Sequence, residues 1–422
     1  MGQEREEILS AIQHCVKCKL CSIANFHPAE EWQPLCPSGE FYGYQAFYAP
    51  GKLEIFREIL EGGLTESSEG LLKSVYACTL CGACYEKCRQ VTSVEMRLPE
   101  LFEELRGELV RKGWSLSVHR EIAEKIKETR NAYGERQKYR DGAKSTNENA
   151  EVLYFIGCTA RYRVPEIADA MLEIFDKLGI KYQVLGEEWC CGSVLLRTGQ
   201  VEAAKELVAH NSEVIKNSGA KTVVFTCPGC LNTFKKNYPE LGVELVHSTQ
   251  FLAGLGEGEG GSDGDESSGG GLEVKKLGMA VAYHDPCHLG RDLGIYEEPR
   301  EVLREVAGEK LKEMKREREQ AWCCGSGGGV KSAFDEFALW CAGERVKEAR
   351  AAGAEALVSA CPFCKRNLKE AAEREAEERE AEEREAEERE ETEKEGEEKE
   401  GKGMKIYDVV ELVSKGLEGR RK

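Results

Sequence analysis

Long apolar segments are missing from this chain of 422 residues, and basic residues are outnumbered by acidic ones. No run of about 18 apolar residues occurs, so we expect no membrane-spanning helix. Lysine and arginine total 59 against 77 aspartate and glutamate residues, and the resulting net charge of −18 argues against nucleic acid as a partner. The first stretch, MGQEREEILSAIQH, is charged and has no apolar signal-peptide core. These absences predict a cytoplasmic protein.

Nucleotide-binding fingerprints are lacking as well. The stretch GSGGGV after Cys324 resembles a phosphate-cradling loop, but no strand leads directly into it, as a dinucleotide site requires. We therefore expect no flavin or nicotinamide cofactor. The glycines are better interpreted as positions where the backbone approaches a metal centre closely.

The excess acidic charge is local. Between Glu370 and Glu400 there are 18 glutamates against 4 arginines and 2 lysines, a net charge of −12. The AEERE repeat in this stretch fits either a solvated single helix or a disordered insertion, and it implies no chemistry. The stretch GEGEGGSDGDESSGGG, from Gly256 to Gly271, predicts a flexible linker.

Cysteine, by contrast, is abundant. Nineteen cysteines in a chain that is neither small nor visibly secreted indicate metal ligands in a reducing compartment. Eight of them fall within residues 1–110, and the second group has the C-x2-C-x2-C-x3-C spacing of bacterial-type ferredoxins. Three thiolates two residues apart wrap one cubane cluster, and its fourth iron needs a ligand from elsewhere in the chain. Two 4Fe-4S clusters are therefore predicted, one held by Cys15, Cys18, Cys21 and Cys88, the other by Cys78, Cys81, Cys84 and Cys36. A pair of zinc knuckles is the alternative.

A five-cysteine pattern then occurs twice, which indicates an internal duplication. Each copy has one cysteine, then a vicinal pair in WCCG, then a C-P-x-C motif. The first copy comprises Cys158, Cys190, Cys191, Cys227 and Cys230, and the second comprises Cys287, Cys323, Cys324, Cys361 and Cys364. Adjacent thiolates point in different directions, so a vicinal pair favours an unusual cluster over a strained vicinal disulfide. The nineteenth cysteine, Cys341, is expected to be a small buried residue in a helix.

The cysteines of both copies lie where predicted strands end, as in VLYFIGC, KTVVFTCPGC and EALVSACPFC. Parallel α/β sheets gather their sites at that edge, and helix N-termini there stabilise anionic clusters. We predict an α-helical two-cluster ferredoxin domain followed by two pseudo-symmetric α/β lobes that face each other across a cleft. The predicted ranges are 1–110 for the ferredoxin domain, 111–150 for a helical linker segment, 151–255 for the first lobe, 256–271 for the flexible linker, and 272–422 for the second lobe with an acidic insertion at 370–403.

The duplicated pattern resembles the cysteine-rich CCG domain of heterodisulfide reductase, and the domain order resembles its D-type subunits. This resemblance implies that each five-cysteine set holds a noncubane 4Fe-4S cluster, beside two cubane clusters in the ferredoxin domain. It also implies that the ten cysteines are catalytic and cleave a disulfide substrate between the two noncubane clusters. The implied partner is an electron-donating protein, a b-type cytochrome in the membrane or a flavoprotein, which would place the chain at the inner membrane face.

Two other functions fit the same residues. The chain would also suit an electron-transfer component of a flavin-dependent glycolate, lactate or glycerol-3-phosphate dehydrogenase, or a zinc-stabilised interaction protein. For the reductase, His284 and His288 beside Cys287 are candidates to donate protons or to hydrogen-bond a cluster sulfur. The candidate contacts for an anionic substrate are Arg161, Arg197, Arg291 and Lys365.

Overall fold

The computed structural model describes residues 2–24, 33–136, 150–255, 274–389 and 403–417. The predicted flexible linker, Gly256 to Gly271, lies outside the described residues, as do residues 137–149 near the end of the predicted helical linker. No helix in the described ranges has the length and apolarity needed to span a membrane.

The N-terminal part is helical. Its core is formed by apolar residues that recur at helical spacing, such as Leu53 and Phe56 in one helix and Phe102, Leu105 and Leu109 in another. Its helices are α1 (Gly2–Gln13), α2 (Pro37–Tyr42), α3 (Ala49–Glu61), α4 (Glu69–Tyr76), α5 (Ala83–Thr92), α6 (Leu98–Arg111) and α7 (Ser117–Thr129), with 3-10 turns at Leu20–Ser22 and Gln45–Phe47.

The first lobe is a four-stranded parallel sheet in the order β2-β1-β3-β4. Its two central strands, β1 and β3, are apolar segments buried along most of their length, as expected of parallel strands covered by helices. The four strands are β1 (Val152–Phe155), β2 (Tyr182–Val184), β3 (Thr222–Phe225) and β4 (Glu244–His247). The helices around them are α8 (Cys158–Tyr162), α9 (Pro165–Leu178), α10 (Ser193–Arg197), α11 (Val201–Asn217), α12 (Pro228–Asn237) and α13 (Ser248–Gly254).

The second lobe repeats this topology, with a parallel sheet in the order β6-β5-β7-β8. The predicted fold class is confirmed: a helical N-terminal region precedes two parallel α/β lobes. The strands are β5 (Val281–His284), β6 (Leu311–Lys312), β7 (Ala356–Ser359) and β8 (Lys405–Asp408). The helices are α14 (Glu297–Ala307), α15 (Val330–Ala333), α16 (Asp335–Ala351), α17 (Pro362–Arg389) and α18 (Val409–Gly416), with 3-10 turns at Gly308–Lys310 and Arg318–Gln320.

The two lobes share one apolar core. Ile167 and Phe175 of α9 pack in the same cluster as Val409 and Val413 of α18. At the edge of this contact, the Lys177 Nζ donates a hydrogen bond to the carbonyl oxygen of Ser414 at 3.1 Å. Because the lobes bury apolar surface against each other, their sheets are held in a fixed relation.

The packed part of α17 extends beyond the predicted start of the acidic insertion at residue 370. Ala371 and Ala372 are buried in the core of the second lobe, and Glu375 accepts a hydrogen bond from Arg350 at 3.3 Å. A Cβ on Gly403 would lie 3.3 Å from the Cβ of Ala376, so the chain returns to the lobe at this point. The insertion therefore begins after Ala376, and residues 390–402 lie outside the described residues.

Arg106 of α6 joins the three parts of the molecule. Its side chain is fully buried, and its guanidinium donates to five backbone carbonyls. Three of these belong to the N-terminal part, one to Arg197 of the first lobe at 2.7 Å, and one to Gly328 of the second lobe at 2.8 Å. A planar fork of donors suits this task, because it can reach several carbonyls at once. Arg106 therefore sets the position of the N-terminal part against both lobes.

Replacing Arg106 should destabilise the whole protein. In an Arg106→Met variant the carbonyls lose their donors while remaining buried, so we expect the free energy of unfolding to fall by about 3 kcal/mol or more. Arg111→Met on the same helix removes a side chain that is 58% exposed, and it should change stability by less than about 0.5 kcal/mol. Anaerobic thermal unfolding of the two variants measures this difference. Equal midpoints would show that Arg106 is not needed to hold the parts together.

The acidic insertion should be dispensable if it is cut after the packed turn. Deleting residues 377–402 and joining the ends with a short Gly-Ser linker is expected to leave unfolding and bound iron unchanged, because a run of like charges buries little surface. Deleting 371–402 instead also removes two buried alanines, and it should cost roughly 1–3 kcal/mol of stability. Calorimetry and iron analysis distinguish the two deletions. Iron loss in the shorter deletion would contradict the prediction.

Candidate functional site

The eight N-terminal thiols lie together around two loops. Cys15, Cys18 and Cys21 follow α1, Cys36 is the N-cap of α2, and the remaining four lie in the loop before α5 and within that helix. The thiol of Cys15 has Cys88 and Cys18 as electrostatic neighbours, while that of Cys36 has Cys78 and Cys81. The thiol of Cys36 is also an electrostatic neighbour of Cys21, so the eight thiols lie together and their division into two groups of four stays a prediction.

Burial raises the pKa of several of these thiols, among them Cys21 and Cys36. It raises the pKa of Cys21 to about 12, and the negative charge of a neighbouring Cys36 thiolate adds to the effect. It likewise raises the pKa of Cys36 to about 12, although the buried ammonium of Lys52 opposes this. Thiolates crowded in this way need a cation, and metal binding releases their protons. The donor set of soft sulfur ligands therefore fits iron–sulfur clusters.

In the first lobe, all five cysteines lie at the carboxyl edge of the sheet. Cys158 begins α8, Cys227 is the N-cap of α12, and Cys190 and Cys191 follow β2. Hydrogen bonds between thiols run from Cys158 through the vicinal pair to Cys230 and on to Cys227. Gly157 permits this crowding: it has a φ of 77°, and a Cβ there would lie 3.2 Å from the Cys230 Sγ.

The second lobe gathers its five cysteines in the same way. Hydrogen bonds between thiols connect Cys287 to Cys323, Cys323 to Cys324, and Cys324 through Cys364 to Cys361. None of the nineteen cysteines, all of which lie in described ranges, takes part in a disulfide. Cys341 is fully buried in α16, as expected.

Two contacts between thiols connect the three parts of the molecule. The thiol of Cys227 in the first lobe is hydrogen-bonded to that of Cys361 in the second. The thiol of Cys81 in the N-terminal part is hydrogen-bonded to that of Cys323, which also lies 3.4 Å from the Thr79 Oγ1. The N-terminal thiols thus approach the second lobe directly, and the second lobe approaches the first.

The glycine-rich stretch after Cys324 makes the close approach to the N-terminal part possible. A Cβ on Gly327 would lie 2.6 Å from the carbonyl oxygen of Thr79, and one on Gly328 would lie 2.6 Å from that of Cys78. These glycines, which we expected beside a metal centre, lie against the backbone of Cys78 and Thr79. That loop itself carries predicted cluster ligands.

A cavity of about 370 Å³ lies between the lobes. It is lined by Ser326 and the glycines of the second lobe, and α7 closes one side with Val118 and Ile122. The segment predicted to be a linker therefore includes one wall of the cavity. Nine of the ten duplicated thiols line it, namely Cys158, Cys190, Cys191, Cys227, Cys230, Cys287, Cys324, Cys361 and Cys364.

The four predicted anion contacts do not all face this cavity. Arg197 lines it, but Arg161 pairs with the buried carboxylate of Glu188 at 3.2 Å. Arg291 donates to backbone carbonyls, including that of Cys81 at 3.1 Å, and Lys365 pairs with Glu166 and Glu411 at 2.6 and 2.7 Å. These three side chains are absent from the lining of the cavity and make their contacts elsewhere within the protein.

Two arginines that the sequence reasoning missed do line the cavity. The guanidinium of Arg163 lies 4.1 Å from the ring centre of Tyr133, and that of Arg366 lies 5.9 Å from the same ring. Tyr133 is fixed by a 2.9 Å hydrogen bond between its hydroxyl and that of Thr159. No sequence motif marks these residues, because they come from three separate segments.

His288 joins the two lobes at the cavity wall. Arg197 Nε of the first lobe donates to His288 Nε2 at 3.3 Å, so the ring proton resides on Nδ1, which donates to Asp292 Oδ2 at 2.5 Å. Asn232 of the first lobe donates to the same carboxylate oxygen at 2.7 Å. Burial works against ionisation of Asp292, yet these hydrogen bonds and the nearby cations lower its pKa to about 2.

Comparison with known proteins agrees with this geometry. The cysteine-rich CCG domain model matches residues 152–235 and 281–369, and a 4Fe-4S dicluster domain model matches residues 11–91. The chain is 40% identical over 386 residues to the D-type subunit of dihydromethanophenazine:CoB–CoM heterodisulfide reductase from Methanosarcina mazei, covering 86% of this chain and 90% of that protein. The chain belongs to the family of D-type heterodisulfide reductase subunits.

Other relatives extend the comparison. The corresponding D-type protein of Methanosarcina acetivorans is 42% identical over 313 residues, which cover 71% of this chain and 73% of that protein. The B-type subunit of the fumarate reductase (CoM/CoB) of Methanothermobacter marburgensis is 34% identical over 72% of this chain and 59% of its own length. The chain is therefore an iron–sulfur oxidoreductase of the heterodisulfide reductase D type. Which thiols hold which cluster stays a prediction.

Proposed function

We propose that this protein cleaves a CoB–CoM-type heterodisulfide reductively in the cavity between its lobes. The observation that carries the proposal is the arrangement of the cavity, whose walls present thiols of both five-cysteine sets, with Cys227 and Cys361 in contact across the lobes. A disulfide placed there would have each of its sulfurs beside a different set.

Four clusters are proposed, and the residues assigned to them fit. Two cubane clusters would be held by Cys15, Cys18, Cys21 and Cys88 and by Cys36, Cys78, Cys81 and Cys84, and two noncubane clusters by the duplicated sets. When bound, such clusters supply electrons one at a time. Reduction of a disulfide consumes two electrons and two protons and yields two thiols.

The residues of the chain bind, orient and shield the substrate. Val118 and Ile122 of α7 exclude water on one side, which strengthens electrostatic interactions within the cavity. Arg163 and Arg366 line the cavity around Tyr133, and they are paired with Glu135 at 3.0 Å and Glu370 at 2.9 Å, so an anionic group of the substrate would compete with these ion pairs. The hydrogen bonds among His288, Asp292 and Arg197 hold the cysteine-bearing walls of the two lobes in a fixed position relative to each other.

The electrons are proposed to come from a partner protein, either a b-type cytochrome or a flavoprotein. Cys18 is the exposed member of the N-terminal thiols, so its cluster is the natural point of entry. The contact between Cys81 and Cys323 then leads from the N-terminal part to the second lobe. Both five-cysteine sets are complete, and this completeness favours catalysis in this chain over a pure relay role.

Metal analysis tests the cluster assignment. Four 4Fe-4S clusters predict about sixteen irons and as many acid-labile sulfides per chain. Cys36→Ala removes a predicted ligand and should lower both counts by about a quarter, whereas Cys341→Ala removes a buried thiol outside every set and should not. Zinc without labile sulfide would contradict the redox function altogether.

Turnover tests catalysis at the duplicated sets. Cys191→Ser and Cys324→Ser replace a soft thiolate by a hydroxyl on either side of the cavity, so each should abolish reduction of CoB–CoM heterodisulfide by a reduced dye. Cys341→Ser serves as the matched control and should retain activity. Electron paramagnetic resonance should show that the N-terminal clusters remain reducible in all three variants. Wild-type protein that holds its iron and passes electrons, but reduces no disulfide, would show that the chain is a relay.

A further inference from the structure

His284, the last residue of β5, is a buried histidine that the proposed reaction does not use. Its side chain is 1% exposed, and the Nε of Arg345 donates a hydrogen bond to its Nδ1 at 3.1 Å. Arg345 is itself fixed, since it also donates to the carbonyl oxygen of Arg316 at 2.7 Å and pairs with Glu348. The ring is therefore held in one orientation.

This contact decides which ring nitrogen carries the proton. Arginine only donates, so Nδ1 of His284 must accept, and in the neutral ring the proton is then on Nε2. Nε2 is buried and has no hydrogen-bond partner among the described residues. A buried N–H group without an acceptor is costly, which implies that one is supplied by something bound nearby.

Sulfur atoms lie beside the ring of His284. A ring nitrogen of His284 and the Sγ atoms of Cys324 and Cys364 all lie within 4.8 Å of one another. Both cysteines belong to the second five-cysteine set, and both are buried. The histidine donor thus lies against one metal-binding set and not against the other.

The first lobe has no equivalent donor. In the duplicated segments VLYF and VAYH, Phe155 occupies the place of His284. Phe155 pairs with Phe225 on the neighbouring strand, with ring centres 5.4 Å apart, whereas His284 pairs with Ser359. Ser359 Oγ is also buried without a hydrogen-bond partner among the residues that the structure describes. The second lobe therefore has a polar pair where the first lobe has an aromatic pair.

We propose that His284 donates its Nε2–H to a sulfur of the cluster held by the second five-cysteine set and thereby makes that cluster easier to reduce than its counterpart. The inference rests on the proposed function, because it assumes a cluster in each lobe. Hydrogen bonds to cluster sulfurs stabilise the reduced, more negative state. The favoured cluster is the one nearest the N-terminal thiols, through Cys323 and Cys81. His284 is thus a positioning residue that makes the lobes electronically unequal.

The test compares His284→Phe, which copies the first lobe, with His284→Gln, which keeps an N–H donor. In redox titrations of the full chain followed by electron paramagnetic resonance, one midpoint should move to lower potential in His284→Phe while the others stay. The expected displacement is about a tenfold change in the oxidised-to-reduced ratio, which is about 59 mV for one electron. His284→Gln should restore most of it.

A second measurement does not depend on the variants folding. Wild-type protein labelled with 15N-histidine should show weak nitrogen coupling to a cluster in pulsed resonance spectra, as a hydrogen bond requires. Strong coupling would mean that His284 ligates iron, and no coupling would mean that it has no contact; either overturns the inference. Unchanged midpoints in an iron-loaded, disulfide-reducing His284→Phe protein would overturn it while leaving the proposed function intact. Wild-type protein without clusters would overturn both.

Discussion

A buried guanidinium without a carboxylate partner is the constraint on which the rest of this structure depends. The charge of Arg106 is stabilised by the partial charges of five carbonyls, which belong to the N-terminal part and to both lobes, and by the ring of Tyr76, whose centre lies 5.2 Å away. Removing this cation from water is costly, and the cost is offset only when all three parts are in place together. Docking of the N-terminal part is therefore coupled to the arrangement of the lobes, and the contact between Cys81 and Cys323 follows from it.

The duplication makes the two lobes similar in fold, and differences at single residues make the surroundings of their thiols unequal. Both lobes place a vicinal cysteine pair and a C-P-x-C motif at the same sheet edge, since strand ends and helix N-termini fix these positions. The differences lie in the surroundings of the thiols. Glu188 accepts backbone N–H groups beside Cys158 in the first lobe, whereas in the second lobe Arg345 donates to His284, which lies beside Cys324 and Cys364. Equivalent ligand sets in unequal surroundings are expected to differ in potential.

Much of this was predictable from sequence because cysteine spacing is local and strand periodicity is strong. The two lobes and the helical N-terminal part follow from motifs and strand periodicity alone. The role of Arg106 was not predictable, since its five acceptors are backbone atoms up to 222 residues away in sequence. The same holds for Arg291 and Lys365, whose partners lie on distant elements, and for α7, which has the pattern of an ordinary amphipathic helix although it closes the cavity. Cysteine spacing identifies the metal ligands from the sequence. Packing between residues that are distant in sequence decides which charged side chains remain available to bind a substrate.

Gly327, Gly328 and Gly329 show how far the two copies of the duplicated segment have diverged. The aligned positions of the first lobe are Val194, Leu195 and Leu196. If that lobe took the place of the second, the first two side chains would collide with the Cys78–Thr79 backbone and the third with the side chains of His119 and Thr198. The copies are therefore no longer interchangeable, although each retains all five cysteines. A chain with its lobes exchanged would preserve every thiol and still be unable to seat the N-terminal part. The order of the two lobes along the chain is therefore constrained as strictly as the positions of the cysteines.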